Sequence, residues 1–190
     1  MLAFGVVSLF ADMTYEGMRS ISGPYLALLG ASGTAVGLIA GTGELLGYTL
    51  RLVSGGLVDR SRLYSPITLI GYVVQMVAVP ALALVNSWPA AAALIIIERI
   101  GKATRNPPRD VMLSQAGEHI GQGGAFGVHE ALDQSGAVLG PLIAAAVLAQ
   151  RHDYHAAFAG CWCLLSPQWG SFYQYGCAIR RRVRSIARRR

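Results

Sequence analysis

The chain has 190 residues, of which 53% are hydrophobic and only 14% charged, with a mean hydropathy of +0.44. A soluble domain carries about 25% charge, so a chain with so little cannot clothe a water-facing surface, and the composition points to an all-α integral membrane protein. The formal charge of +6 belongs to a tail: Arg180 to Arg190 hold seven arginines and no acid, leaving nine Lys/Arg against ten Asp/Glu in the body. That balance excludes a nucleic-acid partner and leaves membrane lipid as the natural neighbour of the arginine strip.

A bilayer core of about 30 Å takes about 20 apolar residues in a helix. Turn signals divide the chain into six such pieces. The first covers about residues 3–29 and ends at Gly30-Ala31-Ser32-Gly33. The second covers 34–57 and stops at Asp59-Arg60-Ser61-Arg62. No charge occurs from Leu63 to Ile97, too long for one span, and Asn86-Ser87-Trp88-Pro89 is the turn that splits it. A third span then covers 65–85, and a fourth starts near Pro89 and covers 89–110, running into the polar stretch Lys102 to Gln122 with Pro107-Pro108 inside it. A fifth covers 123–149. Residues 160–190 hold an atypical sixth span, which starts near Tyr154 and carries Pro167, Gln168 and Gln174, followed by the arginine tail.

The loops after spans two and four carry Arg60, Arg62, Lys102, Arg105 and Arg109, whereas those after spans one and three carry no charge. The excess of positive charge on cytoplasmic loops therefore puts both termini in the cytoplasm of a multi-pass cell-membrane protein. Gly37/Gly41, Gly43/Gly47, Gly123/Gly127 and Gly136/Gly140 are small-xxx-small pairs that let helix backbones approach. The cysteines Cys161, Cys163 and Cys177 form no CxxC pair, and His152-Asp153-Tyr154-His155 has no further ligand nearby, so no metal is expected. Gly41-Thr42-Gly43 lies inside a span and lacks the spacing of a nucleotide loop, so no cofactor is expected either.

The residues that lipid should exclude carry the functional signal. An ionisable group at a helix centre costs roughly 2.5–3.5 kcal/mol on insertion scales and faces a protein interior or a watery cavity. The spans contain Asp12, Glu16, Arg19, Glu44, Arg51, Glu98, Arg99, Glu130 and Asp133. Asp12, Glu16 and Arg19 share one helical face, as do Glu44 and Arg51. At 1.5 Å per residue, Asp12, Glu44 and Glu98 each lie about 14–15 Å into the bilayer, the depth at which secondary transporters bind substrates and coupling ions. The set either lines a substrate and proton pathway or serves to pair helices; in the first case Asp12, Glu16 and Glu44 are proton carriers and Arg19, Arg51 and Arg99 counter-charges or anion ligands. His119 and His129 read as interfacial residues.

Two motifs resemble those of the major facilitator superfamily of secondary transporters. Gly55-Gly56-Leu57-Val58-Asp59-Arg60 is similar to the family's loop motif between spans two and three. Gly127, Gly136 and Gly140-Pro141 resemble its antiporter motif in span five, although Ala144-Ala145 stand where two glycines are usual. Arg99 resembles the family's span-four arginine, and Asp12-Met13-Thr14 its first-span aspartate motif. The resemblance implies half of a twelve-helix fold, alternating access, and export of small molecules in exchange for protons, without enzymatic chemistry. It implies that Gly55, Leu57, Asp59 and Arg60 form a gate, and that Gly127, Gly136, Gly140 and Pro141 shape a closely packed fifth span. The motif's G-R-K ending is replaced by Arg62-Leu63-Tyr64. From about Gly160 the apolar pattern gives way to Trp, Gln, Cys and Arg, which predicts a truncated or frameshifted copy lacking its C-terminal half. The rivals are a half-size carrier working as a homodimer and a non-transporting helical bundle.

Overall fold

The computed structural model describes residues 2–61, 64–117 and 121–163. The second half of the expected sixth span, Cys177 and the arginine tail lie outside the described residues. The elements are α1 (Leu2–Leu28), α2 (Gly33–Ser61), α3 (Tyr64–Leu82), α4 (Trp88–Gly117), α5 (Gln122–Arg151) and α6 (Tyr154–Cys163), with no strand among the described residues. The fold is thus the all-helical, six-helix bundle expected from composition. The turn after α1 follows from Gly30, whose φ of +92° lets its N–H reach Ala27 O and that of Ala31 reach Leu26 O, each at 3.0 Å. Such a glycine-terminated motif satisfies the last carbonyls of the helix.

Two helices run past their expected ends. Gly55 to Arg60 lie within α2, which continues to Ser61, so the motif read as a loop is the end of a helix. α4 continues through Pro107 and Pro108 to Gly117. Hydropathy marks where the apolar stretch stops, whereas the hydrogen-bonded helix stops only where its backbone bonds do. Proline in mid-helix removes the bond to the carbonyl four residues back, which for Pro107 is that of Ala103. The Ser54 hydroxyl of α2 donates to that carbonyl at 3.4 Å, which replaces the lost donor and stitches α2 to α4.

α1 packs most extensively along α5, and α3 and α2 both pack on α4. The α1/α5 contact is a backbone contact. A Cβ placed on Gly136 would strike the Leu9 carbonyl oxygen, and one on Gly140 the Met13 carbonyl oxygen. Reciprocally, a Cβ on Gly17 would come within 2.9 Å of the Gly140 oxygen. α3 and α4 approach in the same way, a Cβ on Gly71 falling 2.7 Å from the Gly101 oxygen. Backbone-to-backbone approach at glycines is seen at these two crossings among the described residues, whereas Gly43 of α2 packs against the Arg99 side chain of α4, 2.5 Å from an added Cβ. At Gly37, Gly41, Gly47, Gly123 and Gly127 an added Cβ meets open space, which at Gly41 is the hollow between α1, α2 and α4.

One end of the bundle is an apolar plug. The C-terminal turns of α1 and α3 meet the starts of α4 and α6 there, and Tyr15, Met18, Tyr25, Val79, Leu82, Ile95 and Phe158 form one buried cluster. The Tyr25 hydroxyl donates to the Val85 carbonyl, and its ring stacks edge-on against Phe158 at 5.1 Å. Among the described residues one helix, Gln122–Arg151, is long and apolar enough to cross a membrane, and a shorter apolar helix covers Pro66–Leu82.

The glycine crossings yield a direct test. Gly140→Leu forces a side chain into the α1 backbone, which has no side chain to move aside. It is expected to exceed the usual 1–3 kcal/mol of an overpacked core and to abolish a cooperative thermal transition in detergent. Gly37→Ala, which meets open space, should shift stability by no more than about 1 kcal/mol, in the stabilising direction of helix propensity.

Candidate functional site

α1, α2 and α4 bring seven charges of alternating sign into one continuous chain. Starting deepest, Arg105 Nη2 lies 3.0 Å from Asp12 Oδ1, which Lys102 Nζ also approaches at 3.5 Å. Lys102 reaches on to Glu16 at 3.7 Å, and Glu16 to Arg19 at 3.8 Å. Arg19 then meets Glu44 at 3.1 Å, and Glu44 closes on Arg99 at 2.7 Å. The ladder crosses between helices repeatedly, so it ties α1 to α4 and α2 to both. Burial falls from the fully enclosed Arg105 side chain to Arg19 and Glu44, 48% and 43% exposed, and rises again at Arg99, 11% exposed.

Aromatic rings hold the cations from the other side. Lys102 Nζ sits 3.3 Å from the centroid of the Tyr15 ring, and the Arg105 guanidinium 4.4 Å from that of Tyr72. Such contacts are strongest where water is excluded. Gln75 of α3 donates to the Ala11 carbonyl at 3.0 Å and so pins α3 beside Asp12.

A second cluster joins α1, α4 and α5. Arg109 Nη1 donates to Ser8 Oγ at 2.9 Å and to Asp133 Oδ2 at 3.2 Å, and its Nη2 lies 3.1 Å from Asp110. His129 Nε2 stands 3.6 Å from Asp133, one helical turn away. His129 is buried rather than interfacial, because its turn of α5 faces α1 and α4.

Of the charged residues singled out from sequence, Asp12, Glu16, Arg19, Glu44 and Arg99 come together in the ladder, and Asp133 enters the second cluster. Glu98 is fully buried between the others. Arg51 stands apart, its guanidinium 5.8 Å from the Tyr48 ring. Glu130 is exposed and accepts a hydrogen bond from Gln134 at 2.7 Å. In the span-five motif, Gly136 and Gly140 carry the α1 contact and Gly127 faces open space. The motif at Gly55, Leu57, Asp59 and Arg60 is placed by its backbone alone, and the side chains from Leu57 to Ser61 lie outside the description.

Lys102, Arg105 and Arg109, read from sequence as loop charges, are interior residues instead. The signal was present in their spacing. Glu98, Lys102, Arg105 and Arg109 recur at intervals of four, three and four, which is one helical face. Pro107-Pro108 concealed it by suggesting that the helix had already ended.

Beside the ladder lies a cleft of about 330 Å³ bounded by α1, α2 and α4. Met18, Leu26, Val36 and Ile95 form its apolar side, and Arg19, Glu44 and Arg99 its polar side. That size and division suit a small molecule, whose orientation a few placed charges would fix.

Comparison with known proteins gives a consistent assignment. Residues 3–165 match the family model described as Major Facilitator Superfamily. An uncharacterized protein of Mycobacterium tuberculosis is 50% identical over 157 residues, which is 83% of this chain and 38% of that protein. A Mycobacterium bovis protein matches to the same extent. An uncharacterized MFS-type transporter of Methanocaldococcus jannaschii is 30% identical over 137 residues, 72% of this chain and 34% of that one. The chain thus spans between a third and two fifths of the length of these relatives.

The graded burial of the ladder sets unequal costs for breaking it. Arg105→Ala strands Asp12 without its closest cation and is expected to destabilise by about 3–5 kcal/mol. Arg19→Ala breaks a half-exposed pair and is expected to cost about 1 kcal/mol or less. Chemical unfolding of the two variants in detergent checks the order; equal losses would contradict the deep and shallow ends described here.

Proposed function

The chain belongs to the Major Facilitator Superfamily, and from that membership we propose that it forms the N-terminal half of a proton-coupled exporter of small molecules working by alternating access. Family membership implies a membrane location and supports the transporter reading. Placement in the cell membrane with both termini cytoplasmic, the outward direction and the proton coupling are this proposal's own content.

The observation that carries it is the cleft against the ion-pair ladder. A bundle whose charges only fasten helices together has no need to present them to a hollow, yet Arg19, Glu44 and Arg99 border both the cleft and the ladder. A substrate entering there disturbs Glu44 directly. Through Arg19, Glu16 and Lys102 the disturbance reaches Asp12, so substrate binding and carboxylate protonation act on the same pairs. Ion pairs of this kind are the two-arrangement elements that coupling requires. Arg51, which borders a second small hollow with Glu44, Arg99 and Lys102, is assigned to the same path.

The glycine crossings suit the mechanism mechanically. α1 and α5 touch through backbone alone, which lets them move as one rigid unit while the half-exposed pairs between α1, α2 and α4 rearrange. The other half of the cavity is supplied by the portion that the relatives possess beyond this chain's matched length, or by a second copy of the chain. Non-transporting use of the bundle, with its charges serving only to pair helices, is the competing reading.

The experiment reconstitutes two proteins in liposomes under an imposed pH gradient. One is the chain alone, the other the chain joined to the remaining length of the Mycobacterium tuberculosis relative, and a panel of fluorescent amphiphilic dyes reports flux. Gradient-driven dye movement is expected in the joined protein, falling at least tenfold in Asp12→Asn and in Glu44→Gln while membrane insertion is retained. No flux in either protein favours the inert bundle, and unchanged flux in both variants removes the two carboxylates from the coupling path.

A further inference from the structure

The carboxylates inside the bundle divide sharply by partnership. Asp12, Glu16, Glu44 and Asp133 each stand at ion-pair distance from a cation. Glu98 does not. It is fully buried, and neither carboxyl oxygen has a hydrogen-bond partner among the described residues.

The charged and titratable groups around it come from three helices. α4 itself contributes Arg99, Lys102 and Arg105, and α1 contributes Asp12 and Tyr15. α2 contributes Glu44, which Arg99 holds. α3 has no charged residue; among its polar groups Tyr72 stacks on Arg105 and Gln75 donates to the Ala11 carbonyl. Arg105 pairs with Asp12 through Nη2, its Nε and Nη1 having no hydrogen-bond partner among the described residues, while Arg99 pairs with Glu44 and Lys102 with Asp12 and Glu16. An ionised carboxylate left without a partner in such an interior is strongly disfavoured, and neutralisation is the usual resolution. A metal ion would add a full positive charge beside three cations, whereas a proton neutralises the carboxyl where it stands.

We propose that Glu98 is the proton-binding carboxyl of this bundle, and that its deprotonation draws Lys102 away from Asp12 and Glu16. Lys102 stands one helical turn beyond Glu98, the i, i+4 spacing at which an acid and a base on one helix meet. When the O–H bond of Glu98 breaks, the proton passes to water and the electron pair remains on the carboxylate. The Lys102 ammonium then donates to that carboxylate in place of its donation across to α1. The α1/α4 clasp therefore tightens when Glu98 holds its proton and loosens when it does not. The role of this proton in exchange rests on the transport reading above; the existence of the proton site does not.

Infrared difference spectra of the purified, membrane-reconstituted chain between acid and alkaline pH read the site without any transported substrate. The wild type is expected to show the C=O stretch of a buried protonated carboxyl. Glu98→Gln should lose that band, while Asp12→Asn keeps it. Where Glu98→Gln fails to fold, Glu98→Asp decides: an aspartic acid at the same site shifts the band to a different frequency. Absence of the band in the wild type, or its persistence unshifted in both Glu98 variants, overturns the assignment. Lys102→Gln should raise the pH midpoint of the band by about one unit, a tenfold change in proton affinity, because the ionised form loses its cation. An unmoved or lowered midpoint overturns the Lys102 exchange. Dye flux is measured separately: a Glu98 band together with proton-independent flux refutes coupling while leaving the proton site in place.

Discussion

A guanidinium with none of its surface exposed cannot lie inside a membrane bundle without an anion, and most of this structure can be understood as the way Arg105 is given one. Its carboxylate, Asp12, sits on the first helix, 93 residues away along the chain. Removing two charges from water carries a penalty that only close geometry repays, so α1 must approach α4 at this level and stay there. The Tyr72 ring covers the guanidinium from α3, and the Gln75 amide anchors α3 to α1 beside it. One ion pair thus fixes the mutual positions of three helices.

Backbone packing supplies what that pair cannot. α5 is held against α1 by Gly136 and Gly140, where main chain meets main chain. In lipid, where burying apolar surface drives little association between helices, such close approach is a principal source of adhesion. The two devices act on neighbouring stripes of α1, about a quarter turn apart: glycine contacts on the α5 side, charges on the α4 side. Asp12 and Glu16 fall one turn apart, and so do Met13 and Gly17, each pair on its own stripe. The same stretch of sequence, Leu9 to Gly17, therefore carries both constraints, and neither can be moved without the other.

Much of this was legible in the sequence. Composition and turn signals were enough for a six-helix membrane bundle, and the charges within spans were enough to single out Asp12, Glu16, Arg19, Glu44 and Arg99, which the structure joins. What hid the rest was the use of hydropathy to end a helix. α4 carries its charges past Pro107-Pro108 into the interior, and the Ser54 hydroxyl covers a carbonyl that proline leaves bare. Lys102, Arg105 and Arg109 were consequently assigned to a loop. The same effect explains why, among the described residues, α5 alone is long and apolar enough to cross a membrane. α1, α2 and α4 are penalised for side chains that lie against each other and not against lipid. Partners were illegible for a different reason: a sequence shows which residues share a face of one helix but not which helix that face meets.

The ladder's gradient of burial bears on how such a bundle could move. Its deep end, Asp12 with Arg105, is enclosed, and separating it would expose both ions to a medium that solvates neither. Its shallow end, Arg19 with Glu44, is about half exposed beside the cleft, where a ligand or water can replace either partner as the pair opens. Rearrangement is therefore least costly at the α1/α2 edge and most costly at the α1/α4 centre. That ordering assigns separate duties to the two ends. The centre keeps the half-bundle together through any change of shape, and the edge is the part free to exchange partners. Lys102, bonded to both Asp12 and Glu16, stands between the two regimes, and a change in its partners is the shortest route by which an event at one end reaches the other.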